Sequence, residues 1–319
     1  MSTEDASTTA LKQYGRDFHR QSVEQLANIL PTDEAEDERE KGWHDILKIV
    51  LETRLRDSFR SGVFNNRRLV YAPIDEIESI LDCGYGTGVW AEDLAEDLYE
   101  LYEDQSDSSG SGGSEEGAAE QKLKPEDVKL KWKICGIDIA RDTSTSKRPS
   151  SSGSIPRSES SSEGDPVFAT KVHWDLNQSL TSNVHLFTQS SNMTKWAKEP
   201  FDLVNIRCLT EGIKYDRWGW LLRELWTLLR PRGCIQMVEL AFGNIQSDSG
   251  RLNDATGLQE WTSCYRQGLR LLGRTEPHLG KVLGERLQWA GFEDISSQCI
   301  QLDLGNWRHK GEHAGNLKM

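Results

Sequence analysis

The stretch ILDCGYGTGVWAEDLAEDLYE, residues 80–100, restricts the fold more than any other part of this chain. A short apolar run from Ile80 to Cys83 meets Gly84, Gly86 and Gly88 at every second position. Val89, Trp90, Leu94, Leu98 and Leu101 then recur at helical spacing. The pattern is a strand, a glycine turn and a helix. Glycine lets backbone approach a ligand closely, and the start of a helix offers N–H groups without intrahelical partners. Those donors suit a pyrophosphate, and equally the carboxylate of an amino-acid-like ligand. The spacing is G-x-G-x-G. The dinucleotide fingerprint G-x-G-x-x-G has its third glycine one place later, where this chain has Val89.

The same alternation of strand and helix continues downstream. KWKICGIDIA, VFATKVHWDL, FDLVNIRCL, CIQMVELAF and EDISSQCIQLDL read as strands. RWGWLLRELWTLLRPRG, DATGLQEWTSCYRQGLRLLG and HLGKVLGERLQWAGF read as helices closed by Gly or Pro-Gly. This predicts an α/β fold: a mostly parallel, doubly wound sheet with helices on both faces. Upstream, LPTDEAEDEREKGWHDILKIVLETRLRDSF predicts one amphipathic helix over 33–60. Its acidic start suits the macrodipole, and Trp43, Ile46, Leu47, Val50, Leu51 and Leu55 form a core stripe. Covering a ligand site is a secondary role for it.

Two Ser-rich tracts, about 104–127 and 142–165, cannot bury enough apolar surface to order themselves and read as insertions between core elements. Residues 1–30 read as a loosely ordered N-terminus, 31–308 as one domain and 309–319 as a short tail. Hydrophobic residues make up 36% of the 319, low for a chain folded throughout, so a single core is expected. The formal charge of −13 disfavours direct nucleic-acid binding, which needs clustered cations. Six scattered cysteines, without a CxxC pair, read as buried reduced thiols, and seven scattered histidines suggest no metal site. With no signal-type N-terminus and no apolar run near the roughly 20 residues that span a bilayer, the chain reads as soluble, in cytoplasm or nucleus, with no membrane partner.

Acids stand at three successive strand ends: Asp82 before the turn, Asp138 in CGIDIA and Asp175 in HWDL. An acid that bonds ribose hydroxyls normally lies about 20 residues past the glycines. The gap from Gly84 to Asp138 is 54 residues, and removing a low-complexity tract of about 27 restores near-normal spacing. Three such acids suit a cationic, ribose-bearing ligand better than a pyrophosphate. S-adenosylmethionine, with its sulfonium, ammonium, ribose and adenine, is a ligand of that kind.

The run of motifs resembles the Rossmann-like class I S-adenosylmethionine-dependent methyltransferases, and within them the fungal LaeA-like family linked to the velvet complex and secondary metabolism. LPTDEAEDEREKGWHDI, ILDCGYGTGVWAEDLAE, ICGIDIA, FDLVNIRCLTEGI, LWTLLRPRGCIQMVE, GNIQSDSGRL and LQWAGFEDI carry the likeness over about 30–308, apart from the tracts. The resemblance implies a seven-stranded sheet with S-adenosylmethionine over the carboxyl ends of the first strands. By motif position, Asp82, Gly84, Tyr85, Gly86 and Gly88 would line the methionine moiety. Asp138, with Ile139, would hold the ribose, and Asp175, with Leu176, would meet the adenine. Asn205 and Arg207 would sit at the end of the fourth strand, where transfer takes place. Regulatory protein partners are implied as well.

Two departures bear on the fold. The family turn Leu-x-Pro-Gly-Gly is here LRPRGC, so Arg232 stands where glycine permits positive φ and a different turn type is expected. The chain also ends too early for the usual last helix and antiparallel strand. The chemistry itself needs positioning rather than a triad, since the methyl donor is already activated. A base is required only if the acceptor is protonated. Candidate bases are His173, His185, Glu211 and Glu239, each with a duller reading as a surface or strand-end residue; Asn205 and Arg207 are candidates to hold the acceptor. Trp218, Trp220, Trp226, Trp261 and Trp289 read as core anchors. The functions compatible with all this are a methyltransferase for a small-molecule or protein acceptor, a weakly active cofactor-binding regulator, and, least, a nicotinamide oxidoreductase.

Overall fold

The computed structural model describes residues 10–55, 69–71, 77–108, 132–139, 167–181, 200–240, 256–274 and 279–302. Strands β1 (Ala10–Gln13) and β2 (Arg16–His19) form a hairpin, followed by the short helix α1 (Arg20–Glu24) and the long helix α2 (Glu34–Leu55). Residues 10–24, expected to be loosely ordered, are therefore structured. Asp33 explains why: its carboxylate takes two hydrogen bonds from the Arg16 guanidinium, at 2.6 Å each, and caps α2 by accepting from the Glu36 N–H at 3.1 Å. The Arg16 bond holds that carboxyl well below its usual range.

The central sheet has five described strands: β3 (Ser79–Cys83), β4 (Lys133–Asp138), β5 (Phe168–His173), β6 (Phe201–Arg207) and β7 (Leu229–Val238). Their order is β5-β4-β3-β6-β7, and every pair is parallel. Parallel strands are covered on both faces, so they read as apolar runs, and all five residues of β3 are buried. Helix α3 (Val89–Ser108) closes one face: Trp90, Ala91, Leu94 and Leu98 pack with Ile80, Ile134, Phe168 and Leu203. Helix α4 (Arg217–Leu228) closes the other with Trp218, Leu221, Leu222 and Leu225, a spacing of one helical face. These meet Leu81, Ile137, Val204 and Ile206. Helices α5 (Thr256–Leu271) and α6 (Leu279–Ala290) follow, with α6 beside α4.

Several expectations change here. Helix α2 is described to Leu55 rather than to 60, and α3 runs through Ser108, taking in the start of the first Ser-rich tract. The rest of that tract and the second one lie outside the described residues. The segment 293–302, expected as a strand, is mostly exposed and has no strand assignment. Its apolar residues alternate as a strand would, but a strand exists only by pairing, and it pairs with no described strand. Among the described residues the sheet has five strands, where the resemblance implied seven. At LRPRGC, Arg232 itself adopts the left-handed conformation, with φ +69°, so the turn survives the loss of its glycine. Gly233 cannot be replaced so simply: a Cβ there would fall 3.0 Å from the carbonyl oxygens of Arg230 and Phe201.

The aromatic expectation holds for Trp218 alone. Trp220, Trp226, Trp261 and Trp289 are about half exposed, because Trp220 and Trp226 fall off the α4 stripe and Trp289 packs edge-on against Trp220 at 5.8 Å. Cys83 and Cys135 are buried thiols, whereas Cys264 and Cys299 are exposed. Among the described residues no helix is long and apolar enough to cross a membrane, and no cluster of three or more His, Cys, Asp or Glu could hold a metal ion.

Candidate functional site

Chain order departs from β3 in both directions: to β4 and β5 on one side, then to β6 and β7 on the other. In such sheets the crevice beyond the carboxyl ends at this switch point is where ligands bind. The glycine turn lies there. Gly84, Gly86 and Gly88 have φ of +70°, +53° and +85°, a region costly for other residues. Side chains would also collide: a Cβ would run into Leu209 Cδ2 at Gly84, and would lie 2.7 Å from Glu40 Oε2 at Gly86 and 3.1 Å from Phe168 Cε2 at Gly88. The Gly84 N–H is used by the Ile137 carbonyl at 2.7 Å. Two further turn donors meet carboxylates: Gly86 N–H donates to Asp138 Oδ2 and Thr87 N–H to Glu40 Oε2, each at 3.0 Å.

Behind the turn, Asp82 is 3% exposed. Its Oδ1 accepts from Asn205 Nδ2 at 2.8 Å, and its Oδ2 has no hydrogen-bond partner among the described residues. Burial pushes its carboxyl up to about 7, with the Asn205 bond opposing. Asn205 Oδ1 in turn accepts from Gln236 Nε2 at 2.8 Å. Asn205 and Asp82 are thus one connected pair.

Arg207, at the end of β6, is in a second network. Its guanidinium donates to His44 Nδ1 at 2.9 Å, His44 Nε2–H donates to Asp93 Oδ2 at 2.9 Å, and Lys48 Nζ donates to the same oxygen at 2.6 Å. An imidazole accepting at Nδ1 from a guanidinium is neutral, with its proton on Nε2. Burial works against the Asp93 charge, but the His44 and Lys48 bonds outweigh it and bring the carboxyl down to about 2. Arg207 is thereby engaged in docking α2 onto α3, and burial lowers its own pKa.

The remaining candidates separate. Glu239 accepts from the Leu209 and Thr210 N–H groups and, at 2.6 Å, from the Thr210 hydroxyl, so it braces the turn whose Leu209 covers Gly84. Burial raises its carboxyl to about 7. Glu211 accepts from the Tyr265 hydroxyl at 2.6 Å, and the Tyr265 ring stacks on Trp261 at 5.4 Å. Burial first, then Glu211, raises the Tyr265 phenol. His173 is exposed and edge-on to His19; His185 lies outside the described residues. Tyr85 turns its ring into the core against Phe168, at 5.1 Å, leaving its backbone to the turn. Ile139 follows β4 and is half-buried. Asp175 Oδ1 accepts from the backbone and side-chain N–H of Asn177, at 2.8 Å each, and Leu176 is buried on the α4 side.

Glu40 and Gln236 were not singled out from the sequence. Glu40 belongs to the series Glu36, Glu40, His44, Lys48, a polar ridge at i, i+4 spacing beside the buried Leu47 and Leu51. Glu36 and His44 are each 3% exposed. A polar ridge adjoining the apolar one was the available signal. Gln236 gave one too, as a lone amide inside the apolar run CIQMV.

No protein-family model matches the chain. It is similar to the protein-methionine methyltransferase laeA of Emericella nidulans and to the secondary metabolism regulator laeA of Aspergillus fumigatus, each 22% identical over 95% of this chain and 59% of the relative. The methyltransferase cpsF of Aspergillus campestris is 22% identical over 76% of this chain and 66% of its own length. The chain thus spans about three-fifths of the length of the laeA relatives. With the parallel sheet and its glycine turn at the switch point, this similarity along nearly the whole chain supports a likeness to the LaeA-like methyltransferases.

Proposed function

We propose that the chain binds S-adenosylmethionine at the carboxyl end of β3 and transfers its methyl group to a small-molecule or protein acceptor in fungal secondary metabolism. The observation that carries this reading is the buried Oδ2 of Asp82, without a hydrogen-bond partner among the described residues, behind a turn two of whose N–H groups are met by Asp138 and Glu40. A pyrophosphate entering here faces three carboxylates. A ligand bearing an ammonium and a sulfonium is attracted by the same charges. Asp82 and the glycine turn would hold the methionine portion, Asp138 the ribose and Asp175 the adenine side, with Ile139 and Leu176 beside them. Asn205 would act through Asp82.

The bound cofactor supplies a methyl group already activated on sulfur. The work left to the protein is alignment and exclusion of water, and alignment alone can supply roughly 7–11 kcal/mol. Helix α2 contributes to both by resting on the turn through Glu40 and on α3 through His44 and Lys48. Of the candidate bases, Glu239 is spent on backbone N–H groups and His173 faces solvent. Among the described candidates, Glu211, beside Tyr265, is left as the proton acceptor for an acceptor that must lose a proton.

Calorimetry with S-adenosylmethionine, S-adenosylhomocysteine and NADH tests the site: the adenosyl ligands are expected to bind, and NADH alone binding overturns the reading. Transfer of labelled methyl from the cofactor into fungal extract then finds the acceptor. The regulator names among the relatives favour a second reading, a cofactor-binding protein of low turnover that works through protein partners in the nucleus or cytoplasm. Cofactor binding without any labelled acceptor selects it.

A further inference from the structure

Polar side chains buried inside a sheet are costly unless every donor meets an acceptor. Asp82, Asn205 and Gln236 occupy one register row across β3, β6 and β7, and are 3%, 1% and 6% exposed. The far end of the row is fixed by backbone groups that cannot be reversed. The Tyr71 N–H, which only donates, reaches Gln236 Oε1 at 2.9 Å; the Leu69 carbonyl, which only accepts, takes a bond from Gln236 Nε2 at 3.0 Å. A flipped Gln236 amide would set N–H against N–H and oxygen against oxygen. Gln236 Nε2 therefore also faces Asn205 Oδ1, at 2.8 Å, and this turns Asn205 Nδ2 onto Asp82 Oδ1, again at 2.8 Å. The row ends at Asp82 Oδ2.

We propose that Gln236 is a positioning residue: by fixing the Asn205 amide with its N–H toward Asp82, it keeps Asp82 an acceptor whose free oxygen receives the ammonium of the ligand's amino-acid portion. This rests on the adenosyl-donor reading of the site. A reversed Asn205 would present its oxygen to Asp82, and only a protonated Asp82 could answer it. That acid offers no charge to an ammonium. Gln236→Leu releases Asn205 to either orientation. Gln236→Glu goes further, because a carboxylate at 236 still accepts from Tyr71 but has no N–H for Asn205 Oδ1, and so favours the reversed amide.

The test compares two ligands by calorimetry between pH 6 and 8.5 on the full chain. S-adenosylhomocysteine carries the ammonium; 5′-methylthioadenosine carries the adenosine and thioether without it. A carboxyl NMR titration of Asp82 in the ligand-free protein runs alongside, and thermal melts check that each variant is folded. S-adenosylhomocysteine affinity is expected to fall about tenfold or more in Gln236→Glu, as for loss of a charged hydrogen bond, and less in Gln236→Leu. Methylthioadenosine affinity stays within about twofold of wild type, and the Asp82 titration in Gln236→Glu moves to higher pH, since a reversed amide favours the neutral acid. Equal losses for both ligands would mean that Gln236 only braces the fold, and would overturn the proposal. An unmoved Asp82 titration overturns it as well. If the wild-type protein binds neither ligand, the cofactor reading fails, while the titration still decides separately whether the relay sets the state of Asp82.

Discussion

Asp82→Asn separates the stability of this fold from the demands of its site. The native Asp82 carboxyl titrates at about 7 instead of 3.8 because it is buried. Between pH 4 and 7 the native state holds a proton that the unfolded chain has released. Stability therefore falls as pH rises across that window and is flat above it. The rise from 3.8 to about 7 corresponds to about 4 kcal/mol against the native state at pH 8. Asparagine is isosteric, can accept from Asn205 through its own oxygen, and carries no charge. The variant is expected to match wild type at pH 4 and to exceed it by as much as about 4 kcal/mol at pH 8, in urea denaturation followed by tryptophan fluorescence. Glu239 also titrates at about 7, but it is present in both proteins and cancels in the difference. At pH 8 the variant should lose S-adenosylhomocysteine affinity, by about ten- to a hundredfold, with the charged hydrogen bond gone. A stability difference that stays constant from pH 4.5 to 8, or a variant less stable than wild type at pH 8, would refute the reasoning.

Gly86→Val places a β-branched side chain at φ +53°, with its Cβ 2.7 Å from Glu40 Oε2; backbone strain of about 1–3 kcal/mol is expected, and unchanged adenosyl-ligand affinity by calorimetry would end the cofactor assignment. Glu40→Ala removes the carboxylate that accepts from Thr87 N–H. Hydrogen exchange at Thr87 should accelerate in the ligand-free protein, and an unchanged rate would show that the bond does not protect that amide. Asp93→Asn removes a carboxylate drawn down to about 2 by His44 and Lys48 against the effect of burial. The stability it supplies is present above pH 4 and lost as pH falls toward 2, so urea denaturation should show the variant weaker at pH 7 and equal to wild type near pH 2. Trp218→Ala empties a fully buried site under the sheet and should cost about 3–5 kcal/mol in the same assay.

The strands were legible because parallel strands buried on both faces are mainly apolar, as ILDC and FDLVNI are apart from Asp82, Asp202 and Asn205. The glycine turn was legible because three positive φ values leave little choice of residue. Strand pairing was not, since composition does not say whether a partner backbone exists, and 293–302 reads as a strand without being one. The tryptophans misled for a related reason. Their size argues for burial, but the α4 stripe is set by helical phase, which takes Trp218 and leaves Trp220 and Trp226 outside. In the site, the strand-end acids were visible as isolated letters. The residues that complete the site around them were not, because Glu40, which meets the Thr87 N–H, and Gln236, which meets Asn205, lie 42 and 154 positions away from Asp82.

The N-terminal segment joins the site through a chain of contacts that sequence proximity hides. Arg16 of β2 binds Asp33, Asp33 caps α2, Glu36 in the first turn pairs with Arg39, and Glu40 on the next residue meets the glycine turn. One turn further along α2, His44 meets both Asp93 and Arg207. A helix held by polar contacts at its start and by only Leu47 and Leu51 as buried apolar residues along its described side chains can leave the sheet at the cost of one small apolar cluster. Local opening has a low cost where few buried apolar contacts must be broken. An adenosyl ligand entering here would thus displace an element attached by groups that water can replace, while β3, β6 and α4, which set the geometry of Asp82 and Asn205, are attached by apolar burial that it cannot.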